Sequence, residues 1–168
     1  MGEIIEILFS EQVIQDRISM SLPTGYKQME KRHIGAKYPI YKDRDVVILT
    51  NEKTTVNFIF YFNDGVVEEH ELEDFRDQMF ELVKDSNPAL VFLEKSTIDT
   101  GEFKVAYFEI VTPSLDKDIY NFMYYFMVGE KLVTATFNCY DDEKDYWRAA
   151  VHRSVESLRS INKAKDSR

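Results

Sequence analysis

Between Ile119 and Val128 the chain is apolar on both alternations of a strand. Tyr120, Phe122, Tyr124 and Phe126 fall on one parity, and Met123, Tyr125 and Met127 on the other. Period-two spacing marks a strand, and a strand apolar on both faces belongs in a sheet covered from both sides. Leu132–Tyr140 follows as a second strand, and Val128-Gly129-Glu130-Lys131 joins the two as a tight hairpin. Upstream, Leu90–Thr97 and Phe103–Val111 read as another hairpin around Asp99-Thr100-Gly101-Glu102. Thr112–Asp118, with Pro113, is a surface loop.

The first half is more broken. Ile5–Phe9 is the first strand candidate. In Arg17–Leu22, Ile18, Met20 and Leu22 alternate with Arg17, Ser19 and Ser21. That alternation predicts a strand with one wet face, ended by Pro23-Thr24-Gly25. Lys27–Ala36 reads as a short helix, and Pro39 favours extended backbone at Tyr38. Val46–Thr50 and Thr55–Phe62 are rich in β-branched and aromatic residues and pair around Asn51-Glu52-Lys53.

Two long helices complete the pattern. From Glu69 to Asp85, Leu72, Phe75, Met79, Leu82 and Val83 recur at spacings of three and four, until Asn87-Pro88 stops the run. From Asp142 to Ser160, Trp147, Ala150, Val151, Ser154, Val155 and Leu158 share one face, and Asp141 or Asp142 can cap it. The fold class is therefore α+β, an antiparallel β-sheet with helices on both faces. No repeat or linker divides it: residues 1–161 read as one domain, and 162–168 as a polar tail.

Composition narrows the setting. A chain of 168 residues with 14% aromatics can bury a full core without disulfide or metal. Its single cysteine, Cys139, excludes an intramolecular disulfide and fits a reducing compartment. The start, Met1–Phe9, carries Glu3 and Glu6 and lacks the basic flank of a signal peptide. Ile119–Gly129 is too short to span a bilayer as a helix. A cytoplasmic location and no membrane insertion are expected. The net charge of −9 comes without any basic run beyond Lys31-Arg32, which argues against nucleic acid and for a basic partner.

No catalytic signature stands out. His33, His70 and His152 sit in no HExxH spacing, so no metal site is expected. No phosphate-cradling glycine loop occurs, and no cofactor is expected. Cys139 lies beside a helix start and His152 is a conceivable base for it, but its alternation with Phe137 and Ala135 points to a core thiol. Two acidic clusters open the long helices: Glu68, Glu69, Glu71, Glu73 and Asp74, and then Asp141, Asp142, Glu143 and Asp145. Negative charge there offsets the helix dipole. Asp141, Asp142, Glu143 and Asp145 are also the candidate partner-binding residues.

The order of elements carries one further signal. Ile18-Ser19-Met20-Ser21-Leu22-Pro23-Thr24-Gly25-Tyr26 stands near the start, with Thr136-Phe137-Asn138-Cys139, Trp147 and Ser154-Val155-Glu156-Ser157-Leu158 near the end. In this order they resemble the PsbP/DcrB-like fold, shared by PsbP photosystem subunits, the yeast Ran-binding factor Mog and bacterial DcrB-type proteins. The resemblance runs from about Phe9 to Ser160. It implies a mostly noncatalytic fold that docks onto GTPases, photosystem subunits or secretion effectors. The transit peptide of PsbP and the lipoprotein signal of DcrB have no counterpart here, which implies a cytoplasmic binding role. The leading expectation is a noncatalytic cytoplasmic protein-binding module: an adaptor, a secretion chaperone or an immunity-type inhibitor. A small-molecule binder with a pocket between helix and sheet is the alternative, and a hydrolase using scattered carboxylates or Cys139 the third.

Overall fold

A computed structural model describes residues 7–161. The main sheet has seven strands: β3 (Lys27–Gln28), β4 (Val46–Thr50), β5 (Asn57–Asn63), β6 (Val91–Asp99), β7 (Lys104–Thr112), β8 (Ile119–Val128) and β9 (Lys131–Tyr140). Their order is β3-β4-β5-β9-β8-β7-β6, antiparallel at every pairing. The last four strands are successive hairpins, and β9 then closes the sheet onto β5. Gly129 (φ +57) and Gly101 (φ +90) hold the left-handed backbone that two of these turns need. β1 (Phe9–Ile14), β2 (Ile18–Pro23) and β10 (Arg159–Ser160) form a smaller antiparallel sheet, in the order β1-β2-β10.

The strand period sorts side chains into two cores. Tyr120, Phe122, Tyr124 and Phe126 of β8 join Ile18, Met20 and Leu22 of β2 and Trp147, Val151 and Val155 of α3 (Lys144–Glu156). On the other face Tyr125, Met123 and Met127 pack with Leu72, Phe75, Met79 and Phe80 of α2 (Leu72–Ser86). Ile48 and Ile59 alternate with the first core's Val47, Leu49, Phe58 and Phe60, and they pack on Ile34 of α1 (Lys31–Lys37). So α1 and α2 share one face of the main sheet, while α3 and the small sheet share the other.

Several expected elements move. Residues 5 and 6 of the first strand candidate lie outside the described residues; the strand that forms is Phe9–Ile14. Its hairpin to β2 turns on Gln15 and Asp16 at φ +52 and +55, so a tight turn occurs without the glycine that marks one. The expected wet face of β2 is partly covered: Ser19 is buried, and Arg17 and Ser21 are half-buried. The predicted 27–36 helix divides, because Lys27 and Gln28 pair with Thr50 and Leu49 before α1 starts at Lys31. Leu82 is 60% exposed, and Phe80 takes its place with its ring against Phe92 and Phe108.

The ends of the long helices also differ. α2 is preceded by a 3-10 turn at Glu69–Glu71 with a reciprocal capping box between Glu68 and Glu71. α3 is preceded by another at Asp141–Glu143, and neither Asp141 nor Asp142 caps the helix. α3 stops at Glu156 rather than Ser160, since Arg159 and Ser160 pair with Ser19 and Ile18 of β2. The backbone demand of that small sheet overrides helical continuation. The predicted tail, 162–168, lies outside the described residues.

Candidate functional site

The acidic turn before α3 is a surface feature tied to a neighbouring loop. The Asp141 amide donates to the Asp118 carbonyl at 2.9 Å. Lys117 pairs with Asp142 at 3.1 Å and lies 5.0 Å from the Tyr140 ring centroid. Lys144 pairs with Asp141 at 3.2 Å. Residues 113–118 and 141–146 together hold six acids against two lysines, and Glu143 and Asp145 are exposed. Two apolar side chains stand in this field. Tyr146 is 50% exposed, its ring edge-on to Trp147, and Leu115 on the tied loop is fully exposed. Asp141, Asp142, Glu143 and Asp145 are thus gathered in one place by chain proximity, with an aromatic beside them. Nothing in the sequence places Leu115 there, because the loop pairs with the turn across 25 residues.

Under α3 lies a second constellation, absent from the sequence reading. Glu109 sits on β7 in the position between Tyr107 and Val111, pointing into the first core, and is fully buried. Arg148 grips it with two bonds, Nε to Oε1 at 2.9 Å and a terminal nitrogen to Oε2 at 3.1 Å. The Tyr120 hydroxyl donates to the same carboxylate. Glu94 on β6 lies 3.6 Å from Arg148, and His152 Nε2 is 4.0 Å from Glu109. His152 meets the stacked rings of Tyr107 and Phe122 edge-on, at 5.3 and 5.1 Å. Arg148 and His152 are four apart and so share a helix face.

The charges in this cluster are divided. Burial works to raise the Glu109 carboxyl, but hydrogen bonds from Arg148, Tyr120 and Glu94 outweigh it and hold it below the usual range. Glu94 is pushed up, first by its hydrogen bond with Glu109, then by burial and by that neighbour's charge. The Tyr120 hydroxyl is also pushed up, by burial and then by the bond to Glu109. Glu94, Glu109 and His152 offer three ligand atoms within 4.8 Å of one another, a convergence the expectation of no metal site did not foresee. The guanidinium of Arg148 already fills the cationic place beside Glu109, and its donors take both carboxylate oxygens. The chemistry of the cluster is that of a neutralised buried ion pair.

The other candidates resolve simply. His33 and His70 are exposed and distant in the fold from His152, on α1 and on the turn before α2. The first acidic cluster supplies the Glu68–Glu71 capping box, and Glu73 pairs with Lys104 at 2.9 Å. Cys139 is 1% exposed, and its thiol is pushed up to about 12 by burial, then by Glu143, Asp141 and Asp142. The acids at the helix start therefore oppose thiolate formation, and the dipole does not win. Native Cys139 should resist a thiol reagent at neutral pH, reacting only as fast as the protein opens. Stoichiometric labelling within seconds at pH 7, without loss of circular dichroism, would show that the thiol is accessible and reactive.

Two depressions mark the α1 side. One, of about 1130 Å³, lies between the β1–β2 turn and α1 and carries mixed charges, Lys31, Arg32, Lys42 and Arg44 against Asp43 and Asp45. The other, of about 510 Å³, lies on the sheet between α2 and the 3-10 turn Pro39–Tyr41. Its floor includes Tyr61, Leu132 and Thr134, and its walls Tyr41, Val67, Phe75 and Met79. Tyr125, the cross-strand partner of Thr134, is buried next to it, its ring edge-on to Phe75 and its hydroxyl without a hydrogen-bond partner among the described residues. Among the described residues no helix is long and apolar enough to cross a membrane.

The two-sheet α+β arrangement defines a PsbP-like fold. The solution structure of the cyanobacterial PsbP protein CyanoP from Synechocystis sp. PCC 6803 superposes with a TM-score of 0.67 at 11% identity, over 95% of this chain and 96% of that one. PA94 from Pseudomonas aeruginosa, a protein of unknown function, superposes with a TM-score of 0.57 at 8% identity, over 90% and 96%. No protein-family model and no curated protein sequence matches the chain. At these identities the likeness is one of fold.

Proposed function

We propose that this chain is a noncatalytic protein-binding module that takes a basic partner on the acidic turn before α3. The observation that carries the proposal is the half-exposed Tyr146 beside Asp141, Asp142, Glu143 and Asp145, with Leu115 exposed on the tied loop. Charge of one sign speeds encounter with a complementary surface, while a desolvated aromatic supplies affinity. The noncatalytic part is supported by the state of the reactive groups. Glu109 is held in an ion pair, and Cys139 is buried and protonated at neutral pH. Adaptor, secretion-chaperone and immunity-inhibitor roles share this chemistry, and the proposed compartment is the cytoplasm.

The test begins with capture of partners from native extract by the wild-type chain and by Tyr146→Asp. Association is then measured across a salt series. The expected partner is basic, and added salt slows its association. Reversing Asp141, Asp142 and Glu143 to lysine should slow association by roughly tenfold at low salt. Tyr146→Ala should instead raise the dissociation rate, by about tenfold for an anchor residue. Unchanged rates in both variants, folded by circular dichroism, would leave the acids as stabilisers of the α3 start and remove this surface as the docking site.

A further inference from the structure

The groove between α2 and the Pro39–Tyr41 turn is a separate matter from the acidic surface. Its volume of about 510 Å³ falls in the range of small-molecule sites. Its lining is mainly apolar, and Arg44 is the one charged residue among those that form it. That is unusual company for a cation in a chain of net charge −9. Arg44 is exposed, and no carboxylate among the described residues forms an ion pair with it. Its side-chain bond is a long one to the Tyr61 hydroxyl, 3.4 Å. Asp43 and Asp45 flank it in sequence and line the larger cleft, as Arg44 also does, but neither acid lines this groove.

At the lip, Ile40 and Val66 are 76% and 70% exposed. The groove therefore offers a run of apolar wall, apolar lips open to water, and a guanidinium with free donors. A guanidinium binds a carboxylate through two parallel bonds, and an apolar trough gains by covering a hydrocarbon chain.

We infer that this groove binds a single-chain anionic amphiphile, a medium-chain carboxylate, with its head at Arg44 and its tail along Val66, Phe75, Met79 and Leu132. A cation of the same shape would meet Arg44 as a like charge, and a neutral alcohol would forgo the charge-assisted bonds. The head group therefore ranks the ligands: carboxylate, then alcohol, then quaternary ammonium.

The experiment titrates the full chain calorimetrically with decanoate, decan-1-ol and decyltrimethylammonium, all below micelle formation. Decanoate should bind saturably at one per chain. It should bind about fivefold more tightly than decanol, the upper end for an exposed charge pair. Arg44→Gln should bring decanoate down to the affinity of decanol and leave decanol unchanged. Met79→Trp, which fills the trough, should weaken all three. Absence of saturable decanoate binding, equal affinity for the three heads, or a decanoate preference that survives Arg44→Gln would each overturn the inference. Arg44 is on the surface, so its variant remains decisive if Met79→Trp fails to fold.

Discussion

Replacing Arg148 by methionine should destabilise the protein by about 3–5 kcal/mol at pH 7, the cost of stranding a buried charge. The reason is the asymmetry of the pair. Glu109 is fully buried, whereas the Arg148 side chain is 37% exposed. Without the guanidinium, the carboxylate keeps its bond from Tyr120 but loses both bonds to Arg148. Glu109→Gln should cost less, because Arg148 can turn to water and to Glu94, 3.6 Å away. The double variant Glu109→Leu, Arg148→Met should be more stable than Arg148→Met alone, since it removes the stranded charge.

The pH dependence provides the sign. The folded-state pKa of Glu109 is lowered, so its contribution is present above the ordinary carboxylate range and is lost as pH falls through the lowered value. Glu94 acts oppositely: its raised pKa makes the folded state hold a proton, so stability is lost as pH rises through that value. In Arg148→Met, Glu109 itself becomes a buried carboxyl that prefers its proton. The cost of the substitution should therefore shrink between pH 7 and pH 4. Urea unfolding midpoints at the two pH values measure this, and a cost that is constant across them would show that the loss is packing rather than charge.

Trp147→Ala should cost about 3–5 kcal/mol, as other large truncations in cores do. Trp147 is 3% exposed, with its ring 5.4 Å from Phe137 and 6.3 Å from Phe58. It seats α3 against Phe58 of β5 and Phe137 of β9. Because it is the single tryptophan, the wild-type chain should show a blue-shifted emission that acrylamide quenches poorly. Unfolding of the variant is followed by circular dichroism. A loss under 1 kcal/mol, or a fully red-shifted wild-type emission, would contradict the burial that holds α3 in place.

Where the chemistry is local, the chain states its structure in advance. The β8–β9 hairpin follows from the double alternation and from Gly129, because a strand's side-chain period and a turn's φ requirement are properties of adjacent residues. The burial of Trp147 and Cys139 follows in the same way, from helical spacing and strand parity. The β1–β2 hairpin does not, since Gln15 and Asp16 adopt left-handed backbone without the residues that advertise it. The end of α3 does not either, since the pairing of Arg159 and Ser160 with β2 is a long-range bond that competes with the helix.

The polar sites divide along the same line. Asp141, Asp142, Glu143 and Asp145 were legible as a group because they are neighbours in sequence. Glu109 carried one signal that could have found it: a lone charge in the otherwise apolar run from Val105 to Val111. A buried carboxylate demands a partner, but nothing in the strand names Arg148, 39 residues away on α3. The groove at Arg44 is built from a turn, two strands, a helix and the loop that follows β5. The types of the long elements and most of their apolar faces were thus determined by the sequence alone, through periodicity and turn chemistry. Which charges meet, and which apolar walls enclose a space, was decided only by tertiary packing, because those distances depend on how the faces stack and not on their order along the chain.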